Sequence, residues 1–495
     1  MRGNRKLSRR ELLRGTAFLA AGAALAACGV TTTGSTPTSA PAATQAPAEA
    51  TAAPAAAATQ APAAEATATP AAVAATTAPT AAAATGAEVS IRWQDWPDWE
   101  PQMTQLMDML AKKLPGIKVE FEPLSEGFED KTLAAMVAGT APDVITGWGP
   151  VFRKWAEKGQ LLDLQPFVDK DMSADTLADF NKWQWDGMVT KDTHIRFAVP
   201  YYINLIMLYY NKSIFDEAGL PYPDKTWDHD IYAENLKKLT KKDGDKFVRW
   251  GGAGDYAIQY DRALIGIQQY GGHYVNPDDW TECWIGKQEA LNALEWTRAR
   301  MWDDNSLAQP LQVQSIGKAT GSSTGPWAAN MLATWENGMG AIMGIIKESK
   351  FPWAITHLPK GPARRATLGT TDGWAVYKGT KHPDACWKLL MVLTSPDFQQ
   401  FIMEAWAGIP CRKSLLPKWK DTLIKANPVL ENANLDAILE TLDEGYPMLT
   451  EEFKVQGESQ TAIEAALQKV FQEGQTKVDY FKQVADEVTK INREG

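Results

Sequence analysis

The chain has 495 residues, with 50 lysines and arginines against 60 aspartates and glutamates, a formal net charge of −10. An acidic chain with no basic run in its main body excludes nucleic acid and anionic lipid as electrostatic partners, because both require clustered positive charge. Its five histidines are scattered without an H-E-x-x-H pattern, and none of its four cysteines has metal-ligand spacing, so no metal and no cofactor is expected.

Residues 1–28 read as an export signal. The basic opening carries Arg2, Arg5, Lys6, Arg9, Arg10 and Arg14. The apolar run 16–27 is about half the ~20 residues that a membrane-spanning helix needs. SRREL at 8–12 resembles a twin-arginine export signature, and LAAC at 25–28 resembles a lipobox with Cys28 as the lipidated residue. The plainer alternative is a generic secretory peptide with an accidental cysteine. Without residues 1–27, 44 basic and 59 acidic residues remain, a formal charge of −15. Residues 29–86 are dominated by alanine, threonine and proline, with only Glu49 and Glu65 charged. Such a segment buries too little apolar surface to offset its ordering entropy, so a disordered tether spanning roughly 40 Å is expected.

The remaining ~409 residues exceed a typical single domain, so two lobes are expected. VSIRWQDW alternates as a strand, EPQMTQLMDMLAKKLPG reads as an amphipathic helix ended by Pro115 and Gly116, and IKVEFEPL as a second strand. DKTLAAMVAGTAPDVITGW follows as helix, turn and buried strand, with Asp143 a structural carboxylate in the turn. This alternation points to an α/β fold with parallel sheets, in which ligands meet the carboxyl ends of strands. Trp96, Asp98 and Trp99 in the loop 95–99, and Trp148 in the segment 146–150, are therefore candidate ligand contacts on one rim.

Residues 196–221, RFAVPYYINLIMLYYNKSIFDEAGLP, combine a strand start at Pro200 with an unbroken apolar run. A strand that apolar is covered on both faces. Gly219 and Pro221 end the short helix that follows it. Tyr201, Tyr202 and Asn204 stand at the mouth of this strand, either facing a cleft or serving as half-buried strand residues. A helix is expected over 225–240, with its cap near Thr226.

VPYYINLIMLYYNKSIFDEAGLP resembles the first crossover of the sugar-binding extracellular solute-binding proteins of ABC transporters, the maltose-binding-protein-like class. PGIKVEFEP, VAGTAPDVITGW and FRKWAEKGQLLDL are similar, in that order, to the family's first lobe, and the resemblance extends by order of segments over 87–495. It implies a two-lobed, type II periplasmic-binding-protein-like fold, each lobe a mostly parallel sheet flanked by helices, joined by a multi-strand hinge. Lobe 1 would comprise residues 87–203 and 372–418, and lobe 2 residues 204–371 and 419–495. The hinge is expected near 202–207, near 367–372, and in a third strand around 418–425. The register of WGGAGDYAIQYDRALIGIQQYGGHYV implies that Gln259, Tyr260 and Asp261 approach the ligand. That of ATLGTTDGWAVYKG implies that Thr371, Asp372, Gly373 and Trp374 face the cleft, and GIPCRKSL puts Arg412 within reach. Trp335, in TWENGMGAIM, is implied to pack in the core. Departures from the family are a longer loop over 317–329, and Cys411 where a small residue is usual.

The implied activity is capture of a sugar or oligosaccharide by hinge closure, and its presentation to ABC transporter permease subunits. The carrier would be a monomeric receptor held by lipid on Cys28 at the outer face of the cytoplasmic membrane. A sugar offers hydroxyls and patches of C–H surface, which aromatic faces and polar groups together satisfy; of twenty tryptophans, about four are expected at the ligand. The same scaffold carrying glycerol phosphate, a polyamine or a peptide is one alternative, and a lipoprotein glycoside-cleaving enzyme is another. The enzyme reading has little support in the residues. Gly321–Gly325 matches G-x-S-x-G but sits in a polar loop without the flanking strand and helix of a nucleophile elbow. Asp95, Asp98 and Glu100 offer a possible cation cluster, and Cys283, Cys386 and Cys411 allow at most one disulfide.

Overall fold

The alternation of strand and helix becomes two sheets, each with its own core, in the computed structural model, which describes residues 88–96, 102–125, 127–370 and 372–495. The export signal, Cys28, the tether, Asp98, Trp99, Glu100 and Thr371 lie outside the described residues.

Strand β1 (Val89–Asp95) buries Ile91, Trp93 and Asp95 on alternate positions. Helix α1 (Met103–Lys113) buries Leu106 and Leu110 and carries Lys112 and Lys113 in its last turn, where cations complement the helix dipole. Strand β2 (Ile117–Pro123), helix α2 (Phe128–Ala138), the fully buried β3 (Val144–Gly147), helix α3 (Gly149–Glu157) and the short β4 (Val199–Pro200) complete the first pass. The chain then enters a second body through β5 (Ile206–Asn211), α4 (Tyr260–Gln269), β6 (Thr334–Gly338) and β7 (Trp353–Thr356). It returns as β8 (Gly373–Val376) and α5 (Pro396–Trp406), then runs through α6 (Leu416–Ala426) to the closing helices α7 (Gln456–Leu467) and α8 (Tyr480–Glu494).

The first sheet has the order β2-β1-β3-β8-β4, with β1 parallel to β2 and β3, and β8 antiparallel to both β3 and β4. In the second, β5 lies antiparallel between β6 and β7. Trp250 bridges Leu332 in parallel, and Gly252–Ala253 pairs in parallel with Leu307–Ala308. Each sheet is thus parallel apart from one reversed strand, β8 or β5, and that strand is the one arriving from the other body. Successive side chains of a strand point to opposite faces. Accordingly Ile206, Leu208 and Tyr210 enter one apolar cluster, while Met207 and Tyr209 enter another on the opposite side.

Between the bodies, 201–205 runs antiparallel to Gly369, Thr370 and Asp372: Tyr201 N–H donates to Asp372 O (2.9 Å), Thr370 N–H donates to Asn204 O (3.0 Å), and Leu205 bridges Gly369. Ile409–Pro410 adds a third strand by pairing with Tyr202–Ile203. The third hinge strand is therefore not at 418–425, which lies inside helix α6. The reason is spacing: Trp419 and Leu423, four apart, make one buried helical stripe, Pro417 suits the first turn, and Trp419 Nε1 donates to Gly408 O at 2.9 Å.

Other expectations shift in smaller ways. The helix expected from 225 is His229–Leu239, capped by Asp228, which accepts from Ile231 N–H, while Thr226 is held in a turn by Asp224. Cys283, Cys386 and Cys411 are all free and buried. Part of the loop expected over 317–329 continues a helix, Pro310–Thr320, ended by Gly321 in the left-handed region. No helix of the described residues is long and apolar enough to cross a membrane.

Leu208, fully buried at the centre of the second sheet, sets the scale of core stability. Leu208→Ala is expected to lower the unfolding free energy by about 2–5 kcal/mol, measured by urea denaturation.

Candidate ligand-binding cleft

Trp96 follows the carboxyl end of β1 and Trp148 the carboxyl end of β3, so the parallel strands bring their indoles together. The rings stack with centroids 6.1 Å apart at an interplanar angle of 16°, and Phe128, in the first turn of α2, sets its edge against both. Trp406, at the end of α5, lies edge-on to Tyr202 at 5.0 Å. The second body contributes Gln259, Tyr260, Asp261 and Arg262 from the start of α4, Gly340 beyond β6, and Gln460 and Glu464, one turn apart on α7. Asn204, Thr370 and Asp372 come from the crossing strands. These residues, with Glu129 of α2, line a cleft of ≈560 Å³ between the two bodies, within the range of small-ligand sites. A separate cavity of ≈80 Å³, lined in part by His229, Arg262 and Glu336, lies inside the second body and is too small for a disaccharide.

The bodies also touch beside the cleft. Glu157, the last residue of α3, accepts from the backbone N–H of Gln456 (2.9 Å) and Gly457 (3.4 Å), and so caps α7 across the gap. Arg153, fully buried, donates to Glu157 (3.3 Å) and Asp192 (3.2 Å) and stands 5.7 Å over the ring of Trp280.

Burial dominates the electrostatics. It pushes the Asp372 carboxyl up to about 8, opposed by Arg262 and reinforced by Asp261 and Asp95. It also pushes Asp95 up to about 7, even though Asp95 accepts from Trp374 Nε1 (2.7 Å) and from the Trp96 backbone N–H (2.7 Å). Glu129, Asp261 and Glu464 are raised by the same cause.

Of the residues singled out from sequence, Trp96, Trp148, Tyr202, Asn204, Gln259, Tyr260, Asp261 and Asp372 line the cleft. Tyr201, Gly373, Trp374 and Arg412 do not. Tyr201 and Trp374 are fully buried and stacked on each other at 4.0 Å, behind the cleft wall. Trp374 shares a strand face with Asp372 but lies two residues further in, about 7 Å deeper, where that face meets the core instead of the opening. Gly373 serves the close approach of β4: a Cβ there would stand 2.6 Å from Val199 O. Arg412 spends its guanidinium on Thr394 O (2.8 Å), Thr176 O (3.0 Å) and the face of Phe180 (4.1 Å), and so braces the first body. Asp143 accepts from Arg92 N–H and Thr380 Oγ1, a structural role, and Trp335 packs in the second core.

Glu129, Arg262, Thr370, Trp406, Gln460 and Glu464 are cleft residues that the sequence reading missed. Arg262 adjoins a segment already marked. Gln460 and Glu464 form an i,i+4 polar pair that looks the same in sequence as any solvated helix face. The G-x-S-x-G stretch follows a helix, and the hydroxyls of Ser322 (2.6 Å), Ser323 (2.9 Å) and Thr324 (2.6 Å) all donate to Glu348. These bonds outweigh burial and hold that carboxyl down at about 2. No group of three or more metal-ligating side chains occurs among the described residues.

Comparison with known proteins finds the same fold. The family described as bacterial extracellular solute-binding protein matches residues 96–400, more than half of the chain. The maltodextrin-binding protein MdxE of Bacillus subtilis (strain 168) is 26% identical over 281 residues, 51% of this chain and 56% of that protein. The chain spans about half the length of the curated relatives it matches. An ABC substrate-binding protein from Listeria monocytogenes, solved in complex with cycloalternan, superposes with a TM-score of 0.70 at 20% identity, over 82% of this chain and 99% of that one. The maltose/maltodextrin-binding domain of Bdellovibrio bacteriovorus bound to maltotriose gives 0.66 at 18% identity, over 82% and 100%. Likeness at these identities establishes the fold.

The burial of Trp374 makes its removal a stability lesion. Trp374→Ala is expected to cost about 3–5 kcal/mol in denaturant unfolding, whereas a residue that only stacked on ligand would leave the unfolding midpoint in place.

Proposed function

This chain belongs to the bacterial extracellular solute-binding protein family and has its two-lobed, type II α/β fold; from that premise we propose that it captures a sugar or oligosaccharide between the lobes for delivery to the permease of an ABC importer. The observation that carries this reading is the cleft itself, where stacked indoles and amides lie on both sides of paired crossing strands. Relatives named for maltodextrin, cycloalternan and maltotriose point to the same ligand class.

The mechanism requires no covalent step. The faces of Trp96 and Trp148 take up C–H patches of a sugar ring, and Asn204, Gln259 and Gln460 pair with hydroxyls. Each matched hydroxyl nets about 0.5–1.5 kcal/mol, and an unmatched epimer leaves a buried group unpaired. About −8 kcal/mol gives micromolar affinity, so one stacked platform and several hydrogen bonds suffice. A ligand that touches both lobes binds the closed form better than the open one, and that difference drives closure at the crossing strands. The bond from Glu157 to the start of α7 is then a contact that the closed form keeps. Lipid on Cys28 and the 29–86 tether would hold the receptor at the outer face of the cytoplasmic membrane, near its permease.

Titration calorimetry over a panel of neutral and amino oligosaccharides tests this. At least one sugar is expected to bind in the micromolar range and to be recovered intact, and Trp148→Ala should weaken it by about tenfold or more, the worth of ~1.4 kcal/mol of aromatic contact. Absence of binding across the panel, or release of reducing ends, would refute the reading.

A further inference from the structure

Resting on the sugar-receptor reading, we propose that the glycan selected by this cleft carries a protonated amine, so that the ligand class is an amino-sugar oligosaccharide. The cleft sets the carboxylates of Glu129, Asp261, Asp372 and Glu464 against one guanidinium, that of Arg262. Arg262 does not balance them, because its guanidinium carbon stands 4.8 Å over the ring of Tyr256, it also lines the inner cavity with Glu336, and both Glu336 and Asp255 share its charge.

An acidic rim by itself would mean little; Asp372 makes it specific. Its side chain lines the cleft, the residue is 5% exposed, and its buried Oδ2 has no hydrogen-bond partner. No ion pair among the described residues includes it. The protein supplies that oxygen with no donor, so a ligand that brings one gains a bond that only water could otherwise provide. A charged donor satisfies a carboxylate about twice as strongly as a neutral one. The carboxylates also face one another across the gap, with Glu129 of one lobe within electrostatic reach of Glu464 and Asp261 of the other; the Lys154 ammonium, paired with Asp130 at 2.7 Å, offsets this only in part. Closure excludes water and brings these like charges together. An ammonium group between them turns that repulsion into attraction, whereas a neutral sugar leaves it in place. The faces of Trp96, Trp148, Tyr202 and Trp406 are attractive to a cation for the same reason that they suit a sugar ring.

Proton bookkeeping gives a distinctive readout. The charged groups facing Asp372 are Arg262, Asp261 and Asp95, and burial raises its carboxyl to about 8, so the empty site holds a proton there at pH 7. An ammonium beside it favours the carboxylate, and the proton leaves to buffer as the ion pair forms. Release is therefore expected at pH 6–7, where the amine is already protonated in buffer, and should turn to net uptake above about pH 8, where the empty site is increasingly ionised and an amine of pKa about 8 must gain a proton to bind.

The experiment titrates the full chain with glucosamine oligosaccharides of one to four units, with the glucose oligosaccharides of matching linkage, and with spermidine. Buffers of different ionisation enthalpy count the protons. The amine-bearing member of a pair is expected to bind about tenfold or more tighter, more weakly as salt is raised, with proton release at pH 7. Asp372→Asn should reduce the difference within the pair to under about threefold; if that variant does not fold, the proton count on the native chain decides. A glucose oligosaccharide that matches or exceeds its amine partner, or amine binding without proton release, overturns this inference and leaves the sugar-receptor reading standing. Binding of spermidine alone, or of no sugar of either kind, overturns both.

Discussion

The short antiparallel pairing of 201–205 with Gly369, Thr370 and Asp372 is the constraint on which the rest depends. Its backbone bonds, from Tyr201 N–H to Asp372 O and from Thr370 N–H to Asn204 O, carry the chain between bodies. The same bonds place Tyr202, Asn204, Thr370 and Asp372 at the floor of the cleft. Gln184 reinforces the crossing by donating Nε2 to Tyr202 O at 2.7 Å. Because each crossing strand enters its new sheet reversed, the parallel strands of both bodies point their carboxyl ends toward this pairing. Those ends are where Trp96, Trp148 and Gly340 emerge.

A second layer makes the rim stiff. Trp374, packed between Tyr201 and Phe398, gives its indole N–H to Asp95, and the other oxygen of Asp95 holds the backbone N–H of Trp96. Core packing is thereby transmitted to the indole that stacks on Trp148. Burying Asp95 is unfavourable for its charged form, as its raised pKa indicates, but two donors aimed at it supply the compensation a buried carboxylate requires.

The legible parts of the sequence were those governed by local periodicity. The apolar run 206–211 could be placed as a two-face-buried strand because both residue parities are apolar, and the alternation of β1 reads directly as one buried face. Rim positions were found where a polar or aromatic residue follows a buried parallel strand, as Trp96 and Trp148 do. Depth along a strand was not legible: Asp372 and Trp374 have the same parity, and only the tertiary arrangement shows which one reaches the opening. Arg412 failed for a related reason, since a guanidinium that braces backbone carbonyls and one that meets a ligand look identical in sequence. At 418–425 the family's order implies a strand, but the spacing of Trp419 and Leu423 is helical, and the period of the residues themselves decides. The contributions of α7, Gln460 and Glu464, depend on a helix far along the chain folding back over the cleft, which no local pattern encodes.

Closure of two lobes on a bridging ligand is the central claim, and the mouth of the cleft is where it shows. Asp130, on α2 of one lobe, and Glu458, on α7 of the other, are exposed, and Cys283, Cys386 and Cys411 are buried, so with Cys28→Ser spin labels at Asp130→Cys and Glu458→Cys report the distance between the lobes. With saturating sugar the label distances should collapse to one short, narrow distribution, and without it they should be longer and broader. Identical distributions with sugar bound and absent would contradict the account.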